Sequence, residues 1–209
     1  MAPKVVIAGA GGMAREAASW FIATESPSRL IGFLDKDASR HGEVTAGLPV
    51  LGGDDWLRGR RDVAVIPAIG APAVRAALLE RLREAGVALQ TVVHPSAVLD
   101  PRVSLGDGAI IGPGCVLTCD VTVHRGAIVN YGALVGHDGV LGACCFIGPG
   151  AQLAGSVRVG RGASVGIGAS IIQSVSIGEG AVVGAGSVVI RDVDPGATVV
   201  GVPASPIKR

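Results

Sequence analysis

From residue 97 to residue 192 the chain can be written as sixteen consecutive rows of six residues without a single insertion. The third place of every row is aliphatic, from Leu99, Leu105 and Ile111 through to Ile177, Val183 and Val189. The first place is always Ala, Val, Cys, Gly or Ser, and the fourth is Gly in nine rows. A period of six suits neither a helix nor an ordinary strand, whose side chains repeat every 3.6 and every 2 residues. It suits a coil of short flat segments with a corner every sixth residue, the aliphatic pointing inward, a small residue beside it and glycine where the backbone turns. The composition agrees with such an interior. Hydrophobic residues make up 49% of the 209 and Gly 33 of them, yet there are only three Phe, two Trp and one Tyr. A core without large rings must be assembled from many small branched side chains, each contributing ~1.5–3 kcal/mol on burial before chain entropy is charged. A disordered low-complexity stretch would not hold sixteen rows in phase, and a formal charge of +1 with few charged residues is not a disordered composition.

The pattern resembles the hexapeptide-repeat, left-handed parallel β-helix. That resemblance implies three rows per triangular coil, residues 18 apart stacked on one another, and a little over five coils. It also implies a trimer with sites between neighbouring prisms, since no excursion loop interrupts the rows to complete a site within one chain. Residues 193–209 leave the pattern at Pro195 and end in a VVGVPA tail typical of the acyltransferases of this superfamily.

The first ninety-odd residues read differently. Lys4–Ala8 is an apolar strand, Gly9–Gly12 a turn, and Met13–Ala23 a helix with Ala14, Ala17, Ala18 and Phe21 on one face. Leu30–Leu34 is a second strand ending at Asp35, and Val63–Ile69 a third. Val74–Ala85 is a helix closed by Gly86, and Leu89–Val93 a last strand running into His94–Pro95. The predicted architecture is mixed: a small α/β, Rossmann-like half domain over 1–95, a left-handed β-helix over 96–192, and a tail over 193–209.

Charge and cysteines exclude some functions. Eighteen Lys+Arg against seventeen Asp+Glu, without clusters, leave no footprint for nucleic acid or an acidic membrane. Cys115, Cys119, Cys144 and Cys145 show no CxxC spacing and read as small apolar filler in a reducing compartment. With no secretory h-region and no run of eighteen apolar residues, the expected location is cytoplasmic.

Two motifs could carry chemistry. Gly9-Ala10-Gly11-Gly12-Met13-Ala14 follows a strand, opens a helix and matches GxGxxA, so its free N–H groups can hold phosphate oxygens while Asp35 ends the next strand where an acid meets a ribose or base. Ninety residues supply only half of a dinucleotide fold, which leaves a mononucleotide, such as the nucleotide end of a sugar nucleotide, or a tight turn with no ligand. The second motif is Gly136-His137-Asp138. His137 stands in the fifth place of its row, so its side chain leaves the coil, with the Asp138 carboxylate adjacent and Asn130, the third candidate catalytic residue, one row earlier. A neutral imidazole can take a proton from an amine or hydroxyl while the carboxylate fixes its tautomer. Counting 18 onward reaches Gly155, whose unobstructed N–H could stabilise an oxyanion on the same edge. His137 as a mere exposed corner residue is the alternative. His124 and His137 differ by 13, which is no stacking interval, so no metal is expected; His94 opens the HPSA junction and His41 lies in a polar turn.

Together the GAGGMA turn, the GFLD strand end, the HPSA junction, the Asn130–Asp138 segment, the unbroken rows and the GVPA tail resemble the sialic acid O-acetyltransferase and nucleotide-amino-sugar N-acetyltransferase family. The resemblance implies acetyl-CoA as co-substrate and transfer of its acetyl group to an amine or hydroxyl of a sugar, foremost a nucleotide-linked 4-amino-6-deoxy sugar. It implies His137 as general base, Asp138 as its orienting acid, and the thioester carbonyl near Gly155. Pantetheine would pass Gly166, Ile167 and Gly168, then Gly184, Ala185 and Gly186, in the groove between two prisms. The nucleotide sugar would meet Gly9, Gly11, Gly12, Met13, Asp35 and the segment 68–71 around Gly70. Three positions depart from the family pattern. Met13 and the Gly70-Ala71 pair argue against a standard UDP-sugar, and Phe146, where His is frequent, implies an altered donor environment. A non-catalytic trimer that only binds a nucleotide, and an acyltransferase for another small acceptor, are the rival expectations.

Overall fold

The computed structural model describes residues 2–207; Met1, Lys208 and Arg209, at the ends of the two terminal segments, lie outside the described residues. In the N-terminal unit, β1 (Lys4–Ala8), β2 (Leu30–Leu34), β3 (Val44–Thr45), β4 (Leu48–Gly52), β5 (Val63–Ile66) and β6 (Ala88–Leu89) form one sheet in the order β3-β4-β2-β1-β5-β6. All pairings are parallel except β3–β4, a hairpin absent from the sequence reading. Strand β5 stops at Ile66, three residues before the predicted end. Pro67 brings no N–H, and the Ala68 and Ile69 N–H groups fold back onto the carbonyls of Ile66 and Pro67, so the chain leaves the ladder there. Helix α1 (Gly12–Ile22) buries Ala14, Ala17, Ala18, Trp20 and Phe21 on one side of the sheet. Helix α2 (Pro72–Glu84) begins two residues earlier than predicted, because Pro72 presets the first helical turn. It ends where Gly86 takes φ +65° and the Val87 N–H reaches back to the Leu82 carbonyl.

The rest of the chain is a left-handed parallel β-helix of two-residue rungs on three faces. Each rung pairs with the one 18 residues on, as Leu134–Val135 does with Gln152–Leu153. First- and third-place side chains from Ala109 and Ile111 to Ala181 and Val183 form a single buried cluster. Most of the prism glycines, Gly139 and Gly155 apart, are of two kinds. Those in the sixth place, such as Gly132 at φ +68°, make the turn, and Asp120, Asp138, Cys144, Ser156 and Ser174 take the same left-handed conformation. Those in the fourth place yield to the next coil: a Cβ on Gly136 would lie 2.6 Å from the Gly155 nitrogen. The sequence reading had assigned both kinds to turning.

The prism also extends beyond its predicted limits at both ends. The expected strand Leu89–Val93 is two elements: Ala88–Leu89 closes the N-terminal sheet, whereas Val92–Val93 pairs with Ile110–Ile111 as the first rung of the prism. At the other end Thr198–Val199 pairs with Val182–Val183, sixteen residues away, so the last coil is two residues short and the pattern fails although the coil goes on. Thr198–Gly201 then folds back on Ala204–Pro206 as an antiparallel hairpin.

The two units share a continuous core. One face of the prism presents Val92, Ile110, Ile128 and Phe146 outward, and the first three are buried in the same cluster as Trp20 and Phe21 of α1. Phe146 packs at the edge of that cluster. The next outward residue on this face is Ser164, where the cover ends. Phe146 thus contributes to the seat of the N-terminal unit, a role the sequence alone does not show.

Candidate active site

The edge carrying His137 is built by the coil above and below it. The Gly136 N–H donates to the Leu153 carbonyl at 2.8 Å, the His137 carbonyl accepts from the Ser156 N–H at 2.7 Å, and the Asp138 N–H donates to the Cys119 carbonyl at 3.0 Å. The backbone on both sides of the imidazole is therefore clamped between coils. Asp138, in the turning sixth place at φ +59°, directs its carboxylate back to the ring. His137 Nδ1 and Asp138 Oδ2 are 2.7 Å apart, which assigns the proton to Nδ1 and leaves the Nε2 lone pair free. The ring lies over Gly155, and a Cβ there would collide with Nε2 and Cε1. Only glycine at 155 lets the imidazole lie against the next coil. Both side chains are open to solvent, at 61% and 60% exposure, so within one chain nothing shields the pair from water.

Asn130 does not join this pair. It stacks with Gly112, Gly148, Gly166 and Gly184 on the preceding corner, because one row along the chain is one third of a coil. It is buried, and its side-chain oxygen accepts the Tyr131 N–H at 2.8 Å. Its geometry is that of a corner brace, and within one chain it does not meet His137; it stands on the corner that carries Gly166 and Gly184. The residues expected along pantetheine, Gly166–Gly168 and Gly184–Gly186, share that corner, with Ile167 62% exposed. His137 and Gly155 thus occupy one edge of the prism and the pantetheine residues another.

In the N-terminal unit the glycine turn borders a cavity of about 320 Å³, lined among others by Gly9, Met13, Asp35, Lys36, Ile69 and Gly70. Gly9 takes φ +97°, and a Cβ there would press on the Ala68 carbonyl at 3.3 Å, so the turn and the 68–71 segment close on each other. Helix α1 starts at Gly12 with no side-chain cap and no acidic residue in its first turn, which leaves its amides for an anion. Asp35 is largely occupied. Its Oδ2 accepts from the Ala10 N–H at 3.0 Å and from Arg40 at 3.2 Å, and its Oδ1 from the Asp37 N–H at 3.0 Å. Its first task is to hold the turn, assisted by Arg40, which also donates to the Ala10 carbonyl. Sequence reading missed Arg40, which bonds Asp35 five residues before it and reaches the Ala10 carbonyl in a different loop.

The remaining polar groups are quieter. His41 contacts the Asp35 carbonyl at 2.8 Å and His94 contacts Ser96 at 2.8 Å. Burial pushes the thiols of Cys115 and Cys145 up to about 11 and about 12, and also raises Cys144, so none of the three is a thiolate at neutral pH. All four cysteines are free. Among the described residues no three His, Cys, Asp or Glu side chains cluster as a metal site, and no helix is long and apolar enough to cross a membrane.

Comparison with known proteins gives the same picture for the whole chain. Residues 4–82 match the family described as PglD N-terminal domain. A histidine-to-asparagine variant of perosamine N-acetyltransferase from Caulobacter crescentus, solved with CoA and GDP-perosamine, is 38% identical, with a TM-score of 0.90 over 99% of this chain and 97% of that one. The acetyltransferase domain of PglB from Neisseria gonorrhoeae FA1090, in complex with acetyl coenzyme A, is 32% identical, with a TM-score of 0.91 over 99% and 100% of the two chains. WeeI from Acinetobacter baumannii AYE is 30% identical, with a TM-score of 0.87 over 98% and 99%. A comparison with curated protein sequences gave no match. With full-length likeness at these identities, the chain belongs to the nucleotide-amino-sugar acetyltransferases of the hexapeptide-repeat family, which are acetyl-CoA-dependent enzymes.

Proposed function

We propose that this protein moves the acetyl group of acetyl-CoA to the amino group of a nucleotide-linked 4-amino-6-deoxy sugar, with His137 as general base. The observation that carries the reading is the His137 ring, tied through Nδ1 to Asp138 and resting over Gly155 with Nε2 free. The acceptor amine attacks the thioester carbonyl and Nε2 takes the proton the amine loses. Asp138 stabilises the imidazolium that results. Gly155 serves twice. Its missing side chain makes room for the ring, and its N–H, which donates to no group among the described residues, meets the developing oxyanion. Collapse of the tetrahedral intermediate expels the coenzyme A thiolate, which recovers a proton from His137. No cysteine is needed as a carrier, since the buried thiols are held protonated.

The separation of the His137 edge from the Gly166 and Gly184 corner supports a cyclic trimer, in which one prism's His137 edge faces the pantetheine corner of the next. It also supplies the shielding that a single chain lacks. The cavity beside the glycine turn is the candidate seat of the nucleotide sugar. That the 38%-identical neighbour is bound to GDP-perosamine supports a nucleotide amino sugar as acceptor. Four free cysteines fit a reducing, cytoplasmic setting. The test is release of free thiol from acetyl-CoA with a panel of GDP-, UDP- and dTDP-linked 4-amino-4,6-dideoxy sugars. Acceptor-dependent release that His137→Ala reduces by about 10²–10⁴ is expected. Undiminished turnover by His137→Ala overturns the mechanism, and release with hydroxyl acceptors alone overturns N-acetylation.

A further inference from the structure

Arg75 is fully buried, the only charged side chain so placed among the described residues. It sits near the start of α2, next to the segment that lines the cavity, and it faces no carboxylate. Every one of its partners is a backbone carbonyl. Nε donates to Gly126 O at 2.7 Å, Nη1 to Ile69 O and to Gly70 O (3.1 Å), and Nη2 to Cys144 O at 2.7 Å and Cys145 O at 2.9 Å. Five N–H donors meet five acceptors, the full capacity of a guanidinium. Burial lowers its pKa to about 10, so the group stays charged at neutral pH.

The acceptors fall into two sets. Ile69 and Gly70 line the cavity in the stretch where the chain has left β5, and no strand ladder holds them. Gly126 and Cys144 are 18 residues apart, so they belong to successive coils on one corner of the prism, and Cys145 follows directly. One planar group thereby straddles two coils and grips the cavity rim at its other end. The apolar contact around it is equally close: a Cβ on Gly126 would run into Leu79 of α2.

We propose that Arg75 is a positioning residue for the acceptor, fixing the cavity-lining carbonyls of Ile69 and Gly70 to the prism and so setting where the sugar stands relative to the His137 edge. This rests on the acceptor occupying the cavity as proposed above. A lysine cannot replace it, because a single ammonium offers three donors from one point and cannot span two coils and the loop. The coenzyme A residues lie on the prism alone and do not depend on it.

The test compares full-length Arg75→Lys and Arg75→Gln with the unsubstituted chain. Steady-state kinetics with acetyl-CoA and the best amino-sugar nucleotide of the panel are run alongside hydrogen–deuterium exchange over residues 66–74. Should Arg75→Lys not fold, Arg75→Gln, neutral and with two donors, carries the same measurements. The expected result is a KM for the sugar nucleotide raised about tenfold or more and a lowered kcat. The KM for acetyl-CoA stays unchanged, and exchange is faster over 68–71. Equal losses for both substrates assign Arg75 to general support and overturn the proposal, as do unchanged acceptor kinetics with unchanged exchange. If the unsubstituted chain acetylates no amino sugar, the functional reading fails on its own, and the exchange of 66–74 alone decides whether Arg75 holds the loop.

Discussion

In the prism from Val92 to Val189 each rung is two residues long and its ladder partners lie 18 residues away, the last coil apart, whereas in the N-terminal sheet β1 runs for five residues and pairs with strands that begin 26 and 59 positions later. The prism fixes every position by its column: inward, turning or outward. A residue placed outward, such as His137, then has its backbone held as in any row, and the special requirements are the Asp138 carboxylate at Nδ1 and glycine at 155 beneath the ring. The N-terminal sheet has no such template. Its glycine turn is held by particular side chains from the next loop, Asp35 and Arg40, and the 69–70 segment across the cavity by Arg75. The lesson is that the His137 edge inherits its geometry from the repeat, while the cavity beside the glycine turn must be braced residue by residue.

The sharpest way to break that contrast is His137→Ala, which should lower kcat by about 10²–10⁴ and leave the melting temperature unchanged. Gly155→Ala comes next: the added Cβ displaces the ring, and a loss of about 10² in kcat is expected without unfolding. If turnover survives, the repeat does not set the geometry of the edge. Gly166→Ala tests the template itself, since its Cβ would come within 2.6 Å of the Ala185 nitrogen. A cost of about 1–3 kcal/mol in denaturant unfolding is expected, with weaker coenzyme A binding by calorimetry. Ser174→Gly should instead stabilise the prism by about 1 kcal/mol, because Ser174 holds φ +63° against the preference of L-residues. Smallest in effect is the thiol chemistry. Iodoacetamide at pH 8 followed by mass spectrometry should label Cys119, which is half-buried, and spare Cys115 and Cys145 in the folded chain. The raised thiol pKa values also mean that the folded state keeps protons the unfolded chain gives up. Their contribution to stability is whole below the ordinary thiol value of 9.0 and declines as pH rises through about 11 and about 12.

Much of this was legible before any coordinates. The column of aliphatics from Leu99 to Val189 yields the coil, and the interval of 18 aligns His137 with Gly155. Val92–Val93 was legible too, since it stands 18 before Ile110–Ile111, but it was read as the end of the α/β unit. The corner that Asn130 occupies follows from the same count, because neighbours in sequence occupy different corners and only residues a full coil apart share one. The packing of Phe146 on the N-terminal unit was not legible, because an outward position looks the same in sequence whether a ligand or a second domain covers it.

The sequence by itself determined which residues face inward, where the backbone turns and which polar residues the repeat does not require, because a strict period leaves each of those a local property. Only the tertiary structure decided that α1 covers the outward face up to Phe146, that Asp35 braces the turn, and that Arg75 joins loop to prism. The partners of Arg75 across the domain boundary are carbonyls 51 to 70 residues away, and a backbone carbonyl is present at every residue. No side-chain identity marks which of them a guanidinium will meet until the two units are packed together.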